Sequence, residues 1–111
     1  MKTQLALALA AFVLAGQASA MGVKGNAAAG KQKAVVCAAC HGADGNKTLD
    51  NTYPKLAGQY PDYLLKVLKD YKSGKRNNAV MAGQVQALSE ADMANLAVYF
   101  GSLPGQMGVV K

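Results

Sequence analysis

The five residues Cys37-Ala38-Ala39-Cys40-His41 constrain this chain more than anything else in it. Cys-X-X-Cys-His is the pattern by which a haem is attached covalently: two thiols add across the two vinyl groups, and the adjacent histidine ligates the iron. The spacing has a physical reason. Thiols three positions apart lie on one side of a helical turn and reach both vinyls of one porphyrin edge. The next residue then carries its imidazole over the ring face. Cys37 and Cys40 are the only cysteines and His41 is the only histidine, so every soft ligand of this kind is gathered in one turn.

Other readings of the same residues fit less well. A zinc site wants about four Cys, His or carboxylate ligands, usually as two pairs, and no second pair exists here. A thioredoxin-like dithiol sits in a βαβ context, and nothing in the chain alternates like a strand followed by a crossover helix. A small Cys37–Cys40 disulfide leaves the neighbouring histidine unexplained. Haem attachment is the leading expectation, and a redox dithiol is the alternative.

Residues 1–20 read as a secretory signal rather than as part of the fold. Lys2 gives the positive start, Leu5 to Ala15 is an apolar run too short to span a bilayer comfortably, and Ala18-Ser19-Ala20 is a small-residue cleavage site. The expected division is 1–20 as cleaved signal and 21–111 as one domain of 91 residues, with no transmembrane anchor after cleavage. Export suits the chemistry, because c-type haem is attached outside the bacterial cytoplasm. The expected location is the periplasm.

The mature chain has little from which to build a core. It has no tryptophan, and its aromatic residues are Tyr53, Tyr60, Tyr63, Tyr71, Tyr99 and Phe100. One covalently bound haem would supply a large apolar plate for helices to pack on. Without Lys2, 11 basic residues stand against 6 acidic ones, a net charge of +5. Two ionised propionates would bring this to about +3. A basic face of that kind meets acidic redox partners or an anionic surface. Nucleic acid is not an expected partner, since the domain is exported and carries no binding motif.

Along the chain, Asn26 is placed to cap a helix from about Ala27 to Ala39, with Lys31 and Lys33 on its wet side. Gly30 in mid-helix costs about 1 kcal/mol relative to alanine. It is best explained by another helix crossing closely there. Dense turn formers from Gly42 to Asn51 predict a loop to about Tyr60. Pro54 lies in that loop. Its carbonyl is a candidate acceptor for the second imidazole nitrogen of His41, and stiffening a turn would serve equally well as its reason. Pro61 opens a helix that runs to about Ser73 and stops at Gly74, with Leu64, Leu65, Val67, Leu68 and Tyr71 on its apolar face. Residues 74–88 are expected as a second loop containing Met81. Ser89 then caps a last helix whose inner stripe is Met93, Leu96, Ala97 and Phe100, ended by Gly101, Pro104 and Gly105.

The second axial ligand follows by elimination down to methionine, lysine, tyrosine or an open site. Of the mature methionines, Met93 lies in a helical stripe, Met21 begins the chain and Met107 sits in the tail. Met81, beside the small residues Ala82 and Gly83, is the expected ligand. A thioether favours reduced iron relative to bis-histidine ligation and so raises the potential. Ligands on both faces would make the iron a one-electron carrier rather than a catalyst.

Taken as an ordered set, these residues resemble a class I c-type cytochrome, and more closely the single-haem domains that occur doubled in dihaem periplasmic cytochromes. The resemblance covers nearly all of residues 26–103. It is carried by Val36 through Gly45, Tyr53 through Gln59, Tyr63-Leu64 with Gly74-Lys75-Arg76, Met81, and Leu88-Ser89 through Tyr99-Phe100. It implies an all-α fold of about three to four helices around a covalently attached haem, the first and last helices crossing. It further implies Cys37 and Cys40 as thioether attachments, His41 and Met81 as axial ligands, and Pro54 as the carbonyl beside the histidine. Tyr63 and Arg76 would lie towards the propionates. A dihaem protein would carry a second Cys-X-X-Cys-His, and this sequence has one.

The function implied is a periplasmic monohaem electron carrier between a quinol–cytochrome c oxidoreductase and a terminal oxidase or reductase. A dedicated haem subunit of one redox enzyme is the alternative. A sensor with an open iron site is a third, and it requires Met81 to be off the iron.

Overall fold

The computed structural model describes residues 22–106. The expected signal (1–20), Met21, Met107 and the tail to Lys111 lie outside the described residues. Five helices follow in order: α1 (Ala27–Lys33), α2 (Val35–His41), α3 (Pro61–Ser73), α4 (Ala79–Val85) and α5 (Glu90–Ser102). Among the described residues there is no strand, and no helix is long and apolar enough to cross a membrane.

The frame is a crossing of α1 and α5, with α3 laid against α5. Gly30 makes the crossing close: a methyl group there would overlap the Asn95 carbonyl and stand 2.8 Å from the Tyr99 Cβ. The start of α1 is also tied across. Asn26 caps the helix by accepting from the Ala29 N–H (2.9 Å), while its own N–H donates to the Asn95 side chain (2.7 Å). Ala34, Leu64, Leu96, Ala97 and Phe100 are the buried cluster where the three helices meet. The expected inner stripe of α5 is buried throughout.

The helix ends follow local chemistry. Pro61 opens α3, and Gly74 closes it in the left-handed region at φ 88°. Ser89 and Asp92 form a reciprocal capping box at the start of α5.

Several expectations need correction. The first helix is broken: Ala34 sits at φ −72°, ψ −7°, and Cys37 N–H bonds back to Ala34 O over three residues. Met81 is in a helix, not a loop. Asn78 caps α4 by accepting from Met81 N–H at 3.0 Å, which fixes the backbone at that residue. The count is therefore five helices rather than three to four. Gly101 lies inside α5 and does not end it. A side chain there would collide with Pro61 and the Gln59 carbonyl, so the glycine serves a close approach.

Candidate functional site

The motif residues occupy a single turn at the end of α2. Cys37 and Cys40 are both free and half-buried, and Cys37 packs on the helix-crossing cluster. His41 is buried, at 6% exposure. Gly42 ends the helix at φ 89°, returning its N–H to Ala38 O, and Leu49 N–H bonds Cys40 O at 2.9 Å as the following loop doubles back.

The loop delivers Pro54 to the imidazole. His41 Nδ1 lies 2.8 Å from the Pro54 carbonyl oxygen. A carbonyl only accepts, so Nδ1 carries the proton and the neutral ring keeps its lone pair on Nε2. That is the tautomer a metal needs, held in one orientation by a main-chain acceptor. Tyr53, which sequence reasoning did not single out as a site residue, stands edge-on to the imidazole with ring centroids 6.2 Å apart at 81°. Its signal was its place beside Pro54.

The Cys37 thiol lacks the shift that activates a redox pair. Burial first, and the neighbouring Cys40 second, push the Cys37 thiol above its ordinary value. A reactive dithiol needs its attacking sulfur shifted the other way. Among the described residues no three His, Cys, Asp or Glu come together in a group able to hold an ion.

The remaining predicted residues lie on other elements. Arg76 donates to the Tyr63 hydroxyl at 3.4 Å and lies over the Tyr71 ring at 5.3 Å, so this pair is brought together just beyond α3. Met81 is half-buried on α4, which packs on α3, whereas α2 packs on α1; no packed interface joins α2 to α4. The two predicted ligand helices thus hang from different helices, α1 and α3. The basic residues are partly spent within the fold. Lys33 pairs with Asp92, Lys66 with Asp70 and Lys69 with Glu90, while Lys72 donates to Leu88 O.

Residues 27–104 match the family model for cytochrome c. The chain belongs to the cytochrome c family. It is a class I c-type cytochrome, and membership brings a covalently bound haem c. The residues present fit that group: two unpaired thiols in one helical turn, an imidazole with Nε2 free to donate, and apolar Val35 and Val36 exposed beside Cys37.

Relatives agree. The cytochrome is 52% identical over 85 residues to cytochrome c4 of Pseudomonas aeruginosa, covering 77% of this chain and 42% of that protein. It is 44% identical over 81 residues to cytochrome c-554(548) of Halomonas halodenitrificans, covering 70% of this chain and 96% of that one. Its fold matches the crystal structure of reduced recombinant cytochrome c4 from Pseudomonas stutzeri with a TM-score of 0.71 and 41% identity, over 79% of this chain and 50% of that chain. The chain thus spans less than half of the first of these relatives, one domain's worth of a cytochrome c4.

Proposed function

We propose that this cytochrome is a periplasmic one-electron carrier whose haem is bonded through Cys37 and Cys40, with His41 and Met81 as the axial ligands. When bound, the haem supplies a one-electron iron couple. The single observation that carries the reading is the 2.8 Å bond from His41 Nδ1 to Pro54 O inside a Cys-X-X-Cys-His turn. It holds the ring still and leaves Nε2 as the donor atom. Met81 sits in the first turn of α4, its N–H held by the Asn78 side chain. Tyr63 and Arg76, already bonded to each other, are the groups proposed to face the propionates.

The organisation proposed is a signal removed after Ala20 and one cytochrome domain from residue 21. The partners proposed are a quinol-oxidising complex as donor and a terminal oxidase or reductase as acceptor. Lysines outside the salt bridges found among the described residues, such as Lys24 and Lys31, would supply the basic approach to acidic partners, so association should slow as salt is added.

The test is covalency and ligation together. Exported protein should keep its colour through acid–acetone extraction and a denaturing gel, and its oxidised spectrum should show a sulfur-to-iron band. Extraction of the pigment would end the reading. Isolation as a fixed stoichiometric complex with one enzyme would replace the free carrier by a dedicated subunit.

A further inference from the structure

The loop that brings Pro54 to His41 is tied to the helix that carries His41 by the Leu49 N–H bond to Cys40 O at 2.9 Å. Its return arm is fastened elsewhere, to the end of α5. Gly58 N–H donates to Phe100 O at 3.0 Å, and Lys55 Nζ reaches the Gln106 side chain at 3.3 Å. Ala57, fully buried, lies against Gly45, whose φ is 73°, and both Leu56 and Ala57 N–H groups converge on the Gly45 carbonyl. Gly58 and Gly105 approach so closely that a methyl on Gly58 would stand 2.8 Å from the Gly105 Cα. One side chain bridges the early loop to this same strap. Asn46, buried, donates from Nδ2 to Pro104 O at 2.9 Å across 58 residues, while its backbone N–H is held by Asp44. Its Oδ1 has no partner among the described residues, so the Pro104 bond alone fixes the amide.

We infer that Asn46 is a positioning residue for the axial imidazole: with the strap Leu103–Gln106 it clamps the loop whose Pro54 carbonyl orients His41. It touches neither the ring nor the iron and acts through the backbone from Gly45 to Pro54. The clamp makes the orientation of the ligand depend on the end of α5 as well as on α2. The inference rests on His41 being an iron ligand, and it adds which residue sets the strength of that ligand's second bond. A firm Nδ1–H···O bond raises the basicity of the imidazole and favours oxidised iron. Loosening the clamp should therefore weaken the bond and raise the potential.

The experiment uses the exported, haem-loaded full chain in its reduced form. Solvent exchange of the His41 Nδ1 proton is followed by NMR, with the midpoint potential measured alongside, in Asn46→Ala and in Ser89→Ala. The second variant removes a helix cap remote from the loop and controls for general destabilisation. Asn46→Ala should speed the exchange roughly ten-fold, the factor expected for one lost hydrogen bond, and shift the potential upward. Ser89→Ala should move neither at temperatures well below unfolding. If Asn46→Ala fails to mature, Asn46→Asp decides the matter, since it keeps the shape but its carboxylate cannot donate to Pro104 O; it should show the same two changes. A normal spectrum with unchanged exchange and potential in the Asn46 variant that matures overturns the clamp. Retention of native ligation in His41→Ala would instead overturn the reading of the site, leaving the two failures distinct.

Discussion

Gly30 on α1 and Tyr99 on α5 meet without room for one more carbon, since a methyl on the glycine would lie 2.8 Å from the tyrosine Cβ. The helix crossing depends on that absence. Gly30→Ala should raise local helix propensity yet destabilise the protein by about 1–3 kcal/mol, the usual range for overpacking a tight contact. Denaturant unfolding of the haem-loaded protein measures it; a stabilised variant would mean that the helices part easily.

Acid should weaken the fold through its cap. The Asp92 carboxyl is held below its ordinary value chiefly by the Ser89 backbone N–H, with smaller help from the Ser89 side chain and Lys33 against a desolvation cost. A carboxyl lowered on folding contributes stability above its unfolded pKa of about 3.9 and loses it as pH falls through the folded value. The unfolding midpoint should therefore drop on acidification below about pH 4, and Asp92→Asn should flatten part of that fall. Asp44, held down by the Lys47 and Asn46 N–H groups, and Asp70, held down by Lys66, slope the same way.

Removing the proposed thioether should open one face of the iron. In Met81→Ala the sulfur-to-iron band should vanish, the ferrous protein should bind carbon monoxide, and the midpoint potential should fall. An unchanged spectrum would move the ligand to another residue.

The polypeptide should not fold alone. Its largest fully buried side chains among the described residues are Leu96 and Val85, too little for a domain of this size. Chain carrying Cys37→Ala and Cys40→Ala, exported without haem, should lack a cooperative thermal transition by circular dichroism. A sharp transition would show that the helices need no cofactor.

Much of this was legible because the signals are local. Asn26, Pro61, Gly74 and Ser89 mark helix ends through their own side chains or backbone freedom, and the turn Cys37–His41 states its chemistry in five letters. The misses have a common cause. Alanine is the best helix former, so nothing near Ala34 announces the break; α1 is packed along α5, whereas α2 meets that cluster through Cys37. The short α4 hides because its cap, Asn78, follows Gly74 and Asn77 and reads as more turn. Pro54 had two equal explanations, since what it contributes is a backbone oxygen that any residue possesses. The Asn46–Pro104 bond spans 58 residues, beyond any window of periodicity.

That the acceptor for His41 is a main-chain oxygen has a lasting consequence. No codon change at position 54 deletes it, and it takes up or releases no proton in the physiological range. Evolution can retune the proposed ligand only by shifting the path of the peptide, which places the adjustable parts at a distance from the imidazole.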